Sequence, residues 1–469
     1  MSLNIALQYA VSGLTATQAQ LQVLSGNIAN AQTPGYSRET LPQISNATNA
    51  GGAGVTTGDI QRATDRILQA AVLQQTSTSS AATTLDSYSQ QIQTLLGQIG
   101  SGNTVGDAFN NFASALQTLA TTPQDPMAQL GAVNAGQLLT QKLNSQSSGI
   151  QALRQSADSQ IAADVGTLNS ALDTVGQLNG QISQLQALGQ STATLQDQRD
   201  QAVAQVAQLI GIRTYARPDG TVELLTTQGK TLVDAANVRH FSFTQAGTVT
   251  AGTPLSGLTI GGMDVTAETT TGEIGGLLQM RDTDLPALTA QLNQFTNNLF
   301  AQTSSANLQT ANSGLGATND ANHFFAAVNI AGGVDNSATI QINPDLVTDP
   351  SLLNTNAGAP DPSISQTLSA NVQSPTSFAA AGGLGAITTK LGSYVAQIIG
   401  AAATSAAAAS STSTDQSSLL TQMQSQYSSE TGVNLDSELS TLIVYQNAYS
   451  ASARVISTIQ SMYDALMNA

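Results

Sequence analysis

In the stretch LNIALQYAVSGLTATQAQLQVLSGNIANA, residues 3–31, apolar and small residues recur at alternating intervals of three and four residues. These residues would form one stripe along a helix, which we call its seam. Leu7, Leu14, Leu21 and Ile28 recur every seven residues, and Leu24 is among the residues between them. This spacing is typical of the seam of a coiled coil. A single such helix leaves its stripe in water, so each Leu or Ile forgoes about 1.5–3 kcal/mol of burial. The stretch therefore predicts a helix that packs against a partner.

A second stretch with the same spacing lies at the other end, in GVNLDSELSTLIVYQNAYSASARVISTIQSMYDALMNA at residues 432–469. Two glutamines, Gln446 and Gln460, fall within its predicted seam. The seam residues that we expect at an assembly interface are Leu435, Leu439, Leu442, Tyr449, Ile456 and Tyr463. Two such helices most simply bury their stripes on each other or on further copies of the chain. The two ends together indicate a protein that assembles.

A turn follows the first helix in SGNIANAQTPGYSR, residues 25–38. Asn30 tolerates the left-handed conformation that often ends a helix. Pro34 and Gly35 suit the two central positions of a type II turn, because Gly accepts the positive φ there. Tyr36 follows as an anchor. We expect all four residues at the assembly interface, although a helix stop and a turn of this kind are also common in proteins of other functions.

The composition favours thin helical bundles over large globular cores. Alanine supplies much of the 41% hydrophobic content, aromatic residues make up 4%, and Trp is absent from the 469 residues. The net charge of −16 argues against binding to nucleic acid or an anionic membrane, since no cluster of Lys and Arg is present to neutralise phosphate. No Cys is present, which removes disulfides and thiolate chemistry.

The sequence suggests neither a membrane span nor a cleavable leader. No run of eighteen apolar residues occurs, and the segment MSLNIALQYAVSGL lacks the basic region and the continuous apolar region of a secretory signal. We therefore expect no membrane insertion, and export by a route that needs no signal peptide.

Helical and β periods divide the chain into three nested parts. Terminal segments 1–62 and 429–469 form the predicted coiled coil. Segments 63–210 and 376–428 form a predicted discontinuous helical bundle, in which the Ala-rich tract of 388–428 packs against helices of 64–210. Residues 211–375 form a predicted β-rich outer domain with one helix near 275–307, and a hairpin at the PDG turn of 218–220. The fold class is mainly α with a β-rich insertion, arranged as a multi-domain rod.

No catalytic constellation is visible. His240 and His323 are the two histidines, and neither has a partner at the spacing of a metal or general-base site. The densest charge cluster, DQRD at 197–200, alternates in a way that suits a solvated helix face. The sequence predicts no enzyme, no cofactor and no metal.

Several motifs resemble one family. SGNIANAQTPGYSRE, from residue 25, is similar to the N-terminal motif of flagellar rod, hook and hook-associated proteins, and its TPGYSR ending resembles the hook-associated FlgK family. The C-terminal stretch is similar to that family along its whole length. Internal matches are LQDQRDQAVAQVAQLIGI at 195–212, GEIGGLLQMRDTDLPALTAQLNQF at 272–295 and NDANHFF at 319–325. About fifty residues separate Phe325 from the C-terminal helices, which leaves no room for an outer β-domain that some members carry.

This resemblance implies a structural protein at the junction of the flagellar hook and filament. It implies contacts with copies of itself, with hook protein on one side and with the next hook-associated or filament-junction protein on the other. It also implies type III export and an export chaperone on the C-terminal helix. A hook or rod subunit, or a secreted helical adhesin or type III translocator, remains open as an alternative.

We expect the terminal segments 1–30 and 432–469 to be largely unstructured in the free monomer and helical in the assembly. Their predicted seams contain small or polar residues, and helices without tertiary packing are marginal in water.

Overall fold

The described part of the fold is dominated by five long helices. The computed structural model describes residues 3–45, 54–98, 102–306, 308, 322–326 and 335–468. The long helices are α1 (Leu3–Asn30), α2 (Arg66–Leu96), α4 (Pro126–Ala187) and α11 (Leu391–Thr431), followed by the C-terminal α12 (Leu435–Met467). The shorter helices are α3 (Val105–Thr121), α5 (Ala193–Leu209), α6 (Gly272–Gln279), α7 (Leu285–Gln302), α8 (Asn336–Thr339), α9 (Pro344–Thr348) and α10 (Ser363–Gln373).

The strands are short and scattered, as the mainly α prediction requires. A four-stranded antiparallel sheet contains β5 (Ile212–Ala216), β6 (Val222–Thr226), β7 (Thr231–Asp234) and β8 (Asn237–Val238). A three-stranded sheet contains β9 (Phe241–Ser242), β10 (Thr259–Ile260) and β11 (Met263–Asp264). Two-stranded ladders pair β1 (Glu39–Thr40) with β4 (Gln61–Arg62), β2 (Gln43–Ser45) with β3 (Val55–Thr57), β12 (Phe325–Ala326) with β13 (Gln341–Ile342), β14 (Thr355–Asn356) with β15 (Ala359–Pro360) and β16 (Thr376–Phe378) with β17 (Ile387–Thr389).

Local signals in the sequence set several of these boundaries. The side chain of Asp65 accepts hydrogen bonds from the first turn of α2, and Asp125 caps α4 directly before Pro126. The predicted hairpin at 218–220 is confirmed, since β5 and β6 pair in register from Ile212 to Ala216 and Gly220 has a φ of 77°. Capping and turn chemistry act within a few residues, which is why they can be predicted from sequence.

Two apolar cores share helix α4. Its 62 residues span about 90 Å at the usual helical rise. The first core packs the N-terminal half of α4 on α3, α7, α10 and the start of α11, and the second packs the C-terminal half on α5, α6 and the four-stranded sheet. Each core takes residues from both sides of residue 210, so the predicted boundary there does not separate two cores. The three-part division stays a proposal.

The Ala-rich tract of α11 lies along α2. Small polar side chains meet across this contact, where Gln75 Nε2 donates to Gln416 Oε1 at 2.8 Å and Ser79 Oγ lies 3.3 Å from Ser417 Oγ. Small residues let the two helices approach closely, which is the physical reason for the Ala and Ser content.

One helical stretch qualifies the expectation that nothing crosses a membrane. Residues Leu391–Met467 are long and apolar enough, by length and composition alone, to span one. A third (33%) of its most apolar window is buried inside the protein. A single stretch of this kind is weak evidence for a span, because the core helix of a globular protein passes the same test.

Candidate assembly surface and its joint to the body

Helices α1 and α12 pack on each other in antiparallel fashion. Tyr463 donates a hydrogen bond to Asn4 near one end of the pair, and Asn27 Nδ2 donates to Glu438 Oε2 at 3.1 Å near the other. Between them, a Cβ atom on Gly13 would lie 3.8 Å from Ser452 Oγ. The single chain therefore already pairs its terminal helices, which differs from the expectation of unstructured ends.

The seam of α1 differs from the predicted one at every second position. Leu24 is buried as predicted, but Leu7, Leu14, Leu21 and Ile28 are only half-buried. The fully buried residues of α1 are Ala16, Thr17, Gln20, Leu24 and Asn27. Thr17, Gln20, Leu24 and Asn27 keep the three–four spacing of a seam. Gln20 and Asn27 each lie one residue before a predicted seam residue, Leu21 and Ile28.

The seam of α12 shows the same shift. Leu442, Ile456 and Tyr463 are half-buried, while Leu435, Leu439 and Tyr449 are 40%, 47% and 39% exposed. The buried residues of the helix are Glu438 and Ile459, each one residue before a predicted position. The prediction followed the largest apolar residues, whereas the helices pack through small and hydrogen-bonding residues. Several bulky apolar side chains are left outside the pair.

The exposed side chains of α12 form a second apolar stripe beside the seam. We call it the outer stripe, and its members recur at helical spacing: Val444, Ala448, Ala451, Val455, Met462 and Leu466. Val444, Val455, Met462 and Leu466 are 62%, 48%, 50% and 74% exposed. Helix α1 contains no Lys, Arg, Asp or Glu, so no charge opposes apolar contacts beside this stripe.

Asn27 holds the end of the helix pair together and was missed in the sequence. It is 2% exposed, and its Nδ2 also donates to Glu39 O at 2.8 Å. Its Oδ1 accepts from Tyr36 Oη at 2.9 Å and from Glu39 N at 2.9 Å. The signal was its place in SGNIANAQTPGYSR, three residues before Asn30. Burial raises the pKa of Tyr36, and the charges of Glu39, Asp197 and Glu438 raise it further, so this phenol stays a neutral donor.

Asn30 ends α1 without the left-handed conformation that we expected. Its φ is not positive, and its Nδ2 instead donates to Gly26 O at 3.0 Å within the helix. The predicted type II turn does form, because Gly35 has a φ of 79° and Tyr36 N donates to Thr33 O at 3.2 Å. Pro34 and Gly35 are exposed.

The DQRD cluster is buried, which corrects the prediction of a solvated face. Asp197 is 5% exposed and Arg199 is 6% exposed. The two acids of the cluster pair with Arg62 of β4, whose guanidinium lies 2.7 Å from Asp197 Oδ1 and 2.7 Å from Asp200 Oδ2, while Arg199 donates to Gly220 O at 2.7 Å. Acidic and basic residues that alternate within four residues of one helix occur in buried ion-pair networks as well as on solvated surfaces. The pattern alone therefore does not predict whether these side chains are buried.

This network joins the helix pair to the rest of the protein, and we call it the joint. Arg62 also donates to Ser37 Oγ at 3.1 Å, and Gln201 Nε2 donates to Pro34 O at 2.9 Å. Arg38 N donates to Thr431 O at 2.8 Å, which ties in the crossing from α11 to α12. Burial raises the pKa of Asp197, while Arg62 and the hydrogen bonds from Ser37 oppose that shift. The chain segments that enter and leave the helix pair therefore meet at one ionic contact.

Three family models match the chain. The flagellar hook-associated protein FlgK helical domain matches residues 89–325, just over half of the chain. The flagella basal body rod protein model matches residues 7–36, and the C-terminal model of the basal body rod FlgEFG proteins matches residues 424–469. The chain belongs to the FlgK family of flagellar hook-associated proteins. The family resemblance seen in the sequence is confirmed. Residues 319–321 of the NDANHFF stretch lie outside the described residues.

Individual proteins that are similar to this chain are also hook-associated proteins. Flagellar hook-associated protein 1 of Salmonella typhimurium is 24% identical over 289 residues, which cover 60% of this chain and 52% of that protein. Flagellar hook-associated protein 1 of Escherichia coli K12 is 26% identical over 547 aligned positions, which cover 98% of each. The chain thus spans about half the length of the Salmonella relatives that it matches. The flagellar hook junction protein FlgK from Burkholderia pseudomallei has a TM-score of 0.46 at 23% identity, over 57% of this chain and 51% of that one.

Among the residues that the structure describes, no group of three or more His, Asp or Glu side chains is placed to hold a metal ion. His240 lies beside β8 with its Nε2 2.8 Å from Asp173 Oδ1, and both side chains are about half exposed.

Proposed function

We propose that this protein is a structural, non-enzymatic component of the bacterial flagellum that joins the hook to the filament. It assembles through α1 and α12 with copies of itself. Hook protein lies on one side, and the next hook-associated or filament-junction protein lies on the other. The single observation that carries the proposal is the outer stripe, which stays exposed on a helix pair within a chain of the FlgK family.

The energetics of the outer stripe support this role. Each large apolar residue left in water forgoes about 1.5–3 kcal/mol, and a lone helix pair has no reason to keep four of them on one line. In an array of identical subunits the same stripe is buried once per copy, so a small gain in one subunit is repeated along the whole array. The half-buried Leu7, Leu14, Leu21 and Ile28 complete the proposed interface on α1.

The route to the flagellum is part of the proposal. The protein leaves the cell through the flagellar type III apparatus, and an export chaperone covers the C-terminal helix. A chaperone on α12 would shield the outer stripe until assembly. The chaperone thus accounts for apolar surface that would otherwise aggregate in the cytoplasm.

A hook or rod subunit is the second candidate. The two terminal rod models favour it, since they match 7–36 and 424–469. The match of the FlgK helical domain over 89–325 favours the junction instead. Immunogold labelling of isolated hook–filament complexes separates the two, because a junction protein labels one narrow band between hook and filament and a hook or rod subunit labels along its own segment.

Substituting Val455→Asp tests the proposed interface. Val455 is 48% exposed, so a carboxylate there is solvated in the monomer and the fold is unaffected. In the assembly the same carboxylate is buried without a partner, at a cost of several kcal/mol per subunit. We expect a monomer with the thermal stability of the unsubstituted protein that fails to add to isolated hooks or to restore motility.

The matched control is Ser450→Asp, which places the same charge on the polar side of α12, where Ser450 is exposed and has no member of the outer stripe three or four residues away. We expect this variant to assemble. Normal filaments on cells that carry Val455→Asp would rule out the outer stripe as the interface.

A further inference from the structure

Four arginines surround one cleft at the end of the body nearest the helix pair. The chain has 13 basic residues in 469, so this concentration is unusual for it. The inner lobe of the cleft has a volume of about 160 Å³ and the outer lobe about 470 Å³. Arg66 and Arg217 line both lobes, and Arg62 and Arg199 line the inner one. We call this the arginine cleft.

Positive charge exceeds negative charge at the inner end of the arginine cleft. Asp197 and Asp200 are the carboxylates paired with Arg62, and Arg199 shares Asp200 at 3.3 Å. Arg66 has no ion pair among the described residues. Arg217 is paired separately by Glu223 at 3.1 Å and Asp234 at 2.7 Å. Arg62 and Arg199 thus share two carboxylates, Arg66 adds a third guanidinium without an ion pair, and Asp59 at the outer lobe is exposed.

Two buried donors lack an acceptor here. The side chains of Arg62 and Arg199 are 6% and 7% exposed, and both line the inner lobe. The Nε–H of each has no hydrogen-bond partner within the described part of the chain. Leaving a charged donor unpaired in a buried place costs about 1–3 kcal/mol or more. Burial lowers the pKa of Arg199, the charge and hydrogen bond of Asp200 oppose that shift, and the positive charges of Arg62 and Arg66 add to it.

One helix start adds to the positive potential. The start of α2 does not, because the carboxylate of Asp65 caps it directly before Arg66. Helix α5 begins at the outer lobe, and its first turn has neither a side-chain cap from Thr192 nor an acidic residue. Uncapped amide N–H groups at a helix start attract anions.

We propose that the arginine cleft binds a small oxyanion, a carboxylate or inorganic phosphate, held by Arg62, Arg66 and Arg199. Bound there, it bridges β4, α2 and α5, and so it strengthens the joint between helix pair and body. The oxyanion comes either from solution or from an Asp or Glu side chain of a neighbouring copy. The chain carries 29 acidic residues, so a copy has many carboxylates to offer.

Arg66→Gln tests the site without breaking the joint, because Arg66 is exposed and makes no ion pair. The thermal midpoint of the dilute full-length protein is measured in sodium chloride, acetate and phosphate at pH 7 and equal ionic strength. Phosphate also stabilises proteins by exclusion from their surface. Arg239→Gln, an exposed arginine on the loop after β8, therefore serves as the matched control.

For an oxyanion from solution, we expect millimolar phosphate or acetate to raise the midpoint saturably in the unsubstituted protein and in Arg239→Gln, and not in Arg66→Gln. In chloride, Arg66→Gln should be as stable as the unsubstituted protein or slightly more so, since a cation leaves the arginine cleft.

For a carboxylate from a neighbouring copy, which rests on the proposed function, the monomers show no anion effect. Arg66→Gln then adds to isolated hooks less well than Arg239→Gln does. If neither the anion effect nor the assembly defect occurs while Arg239→Gln adds normally, the site is overturned and the proposed function stands. If the unsubstituted protein itself fails to add to isolated hooks, and no anion effect is seen, both are overturned.

Discussion

Buried charges mark the points at which distant segments of this chain meet. Arg281 is 1% exposed and its NH1 lies 2.7 Å from Asp158 Oδ1, which links the π-helical turn of Met280–Asp284 to α4. Arg62 does the same for β4 and α5. The sequence does not distinguish these buried charged residues from solvated ones, because their ion-pair partners lie more than a hundred residues away. The sequence could therefore not predict the joint.

Asp164 on α4 is a buried carboxylate that makes no ion pair with any of the described residues. Burial first, and then the charge of Glu273, raise its pKa from 3.8 to about 6, against the opposing effect of a hydrogen bond from Gln160. Its pKa is higher in the folded than in the unfolded chain. The ionised carboxylate thus costs folding free energy, and stability falls as the pH rises from about 4 to about 6.

Asp164→Asn should remove that cost. We expect the variant to be about 1–3 kcal/mol more stable than the unsubstituted protein at pH 7, and the two to converge below pH 4. Urea unfolding across this pH range measures the difference. Asp415→Asn, at an exposed position of α11, is the control and should show neither effect. Equal stability of the Asp164→Asn variant and the unsubstituted protein at pH 7 would show that the carboxylate is better solvated than its burial suggests.

At the scale of elements, the existence and pairing of the terminal helices could be predicted, but not their seams. Heptad spacing is a property of one helix, and of the positions that it predicts, Leu24 is buried and Leu442, Ile456 and Tyr463 are half-buried. Which of two adjacent residues is buried, for example Asn27 or Ile28, depends on the surface of the helix that packs against them. Asn27 and Glu438 are buried because they bond to each other across the pair, and hydrophobicity ranks both below their neighbours Ile28 and Leu439.

The joint gives a prediction at the scale of elements. Arg62→Ala leaves Asp197, whose side chain is 7% exposed, without its cation. Breaking one side of a buried ion pair costs about 3–5 kcal/mol. We expect a loss of that size in chemical denaturation, together with faster proteolytic cleavage around Ser37–Thr40.

Arg213→Ala on β5 is the matched control, because Arg213 is exposed and has no ion pair within the described residues. It should change stability by less than about 0.5 kcal/mol. Cleavage around Ser37–Thr40 at the same rate in both variants would show that Arg62 does not restrain the joint.

At the scale of the whole molecule, the nested order of the chain could be predicted because amphipathic stripes at its ends need partners. Contacts of α1 with α12, and of α2 with α11, follow that order. The division at residue 210 could not be predicted in the same way. A change in hydrophobic period from helix to strand marks only where one secondary-structure element gives way to another. Apolar cores form where the faces of several elements pack together, and α4 is long enough to contribute to two cores.

The two parts of the molecule should differ in local stability, and hydrogen exchange on dilute monomer measures this. The seam of the helix pair buries the apolar residues Ala16, Leu24 and Ile459, whereas the C-terminal half of α4 buries Ile161, Val165, Leu168, Leu172, Val175 and Ile182. Opening free energies follow buried apolar contacts.

We expect amides of Leu14–Ile28 and Leu439–Ile456 to exchange by local opening, well before those of Leu168–Ile182, which open with the whole fold. A helix pair that opens readily suits a chain that must repack its ends on neighbours, since the cost of separating them is small against burial of the outer stripe in every copy. Protection of both ends equal to that of Leu168–Ile182 would mean that the pair is a rigid part of the monomer, and that assembly adds to it without opening it.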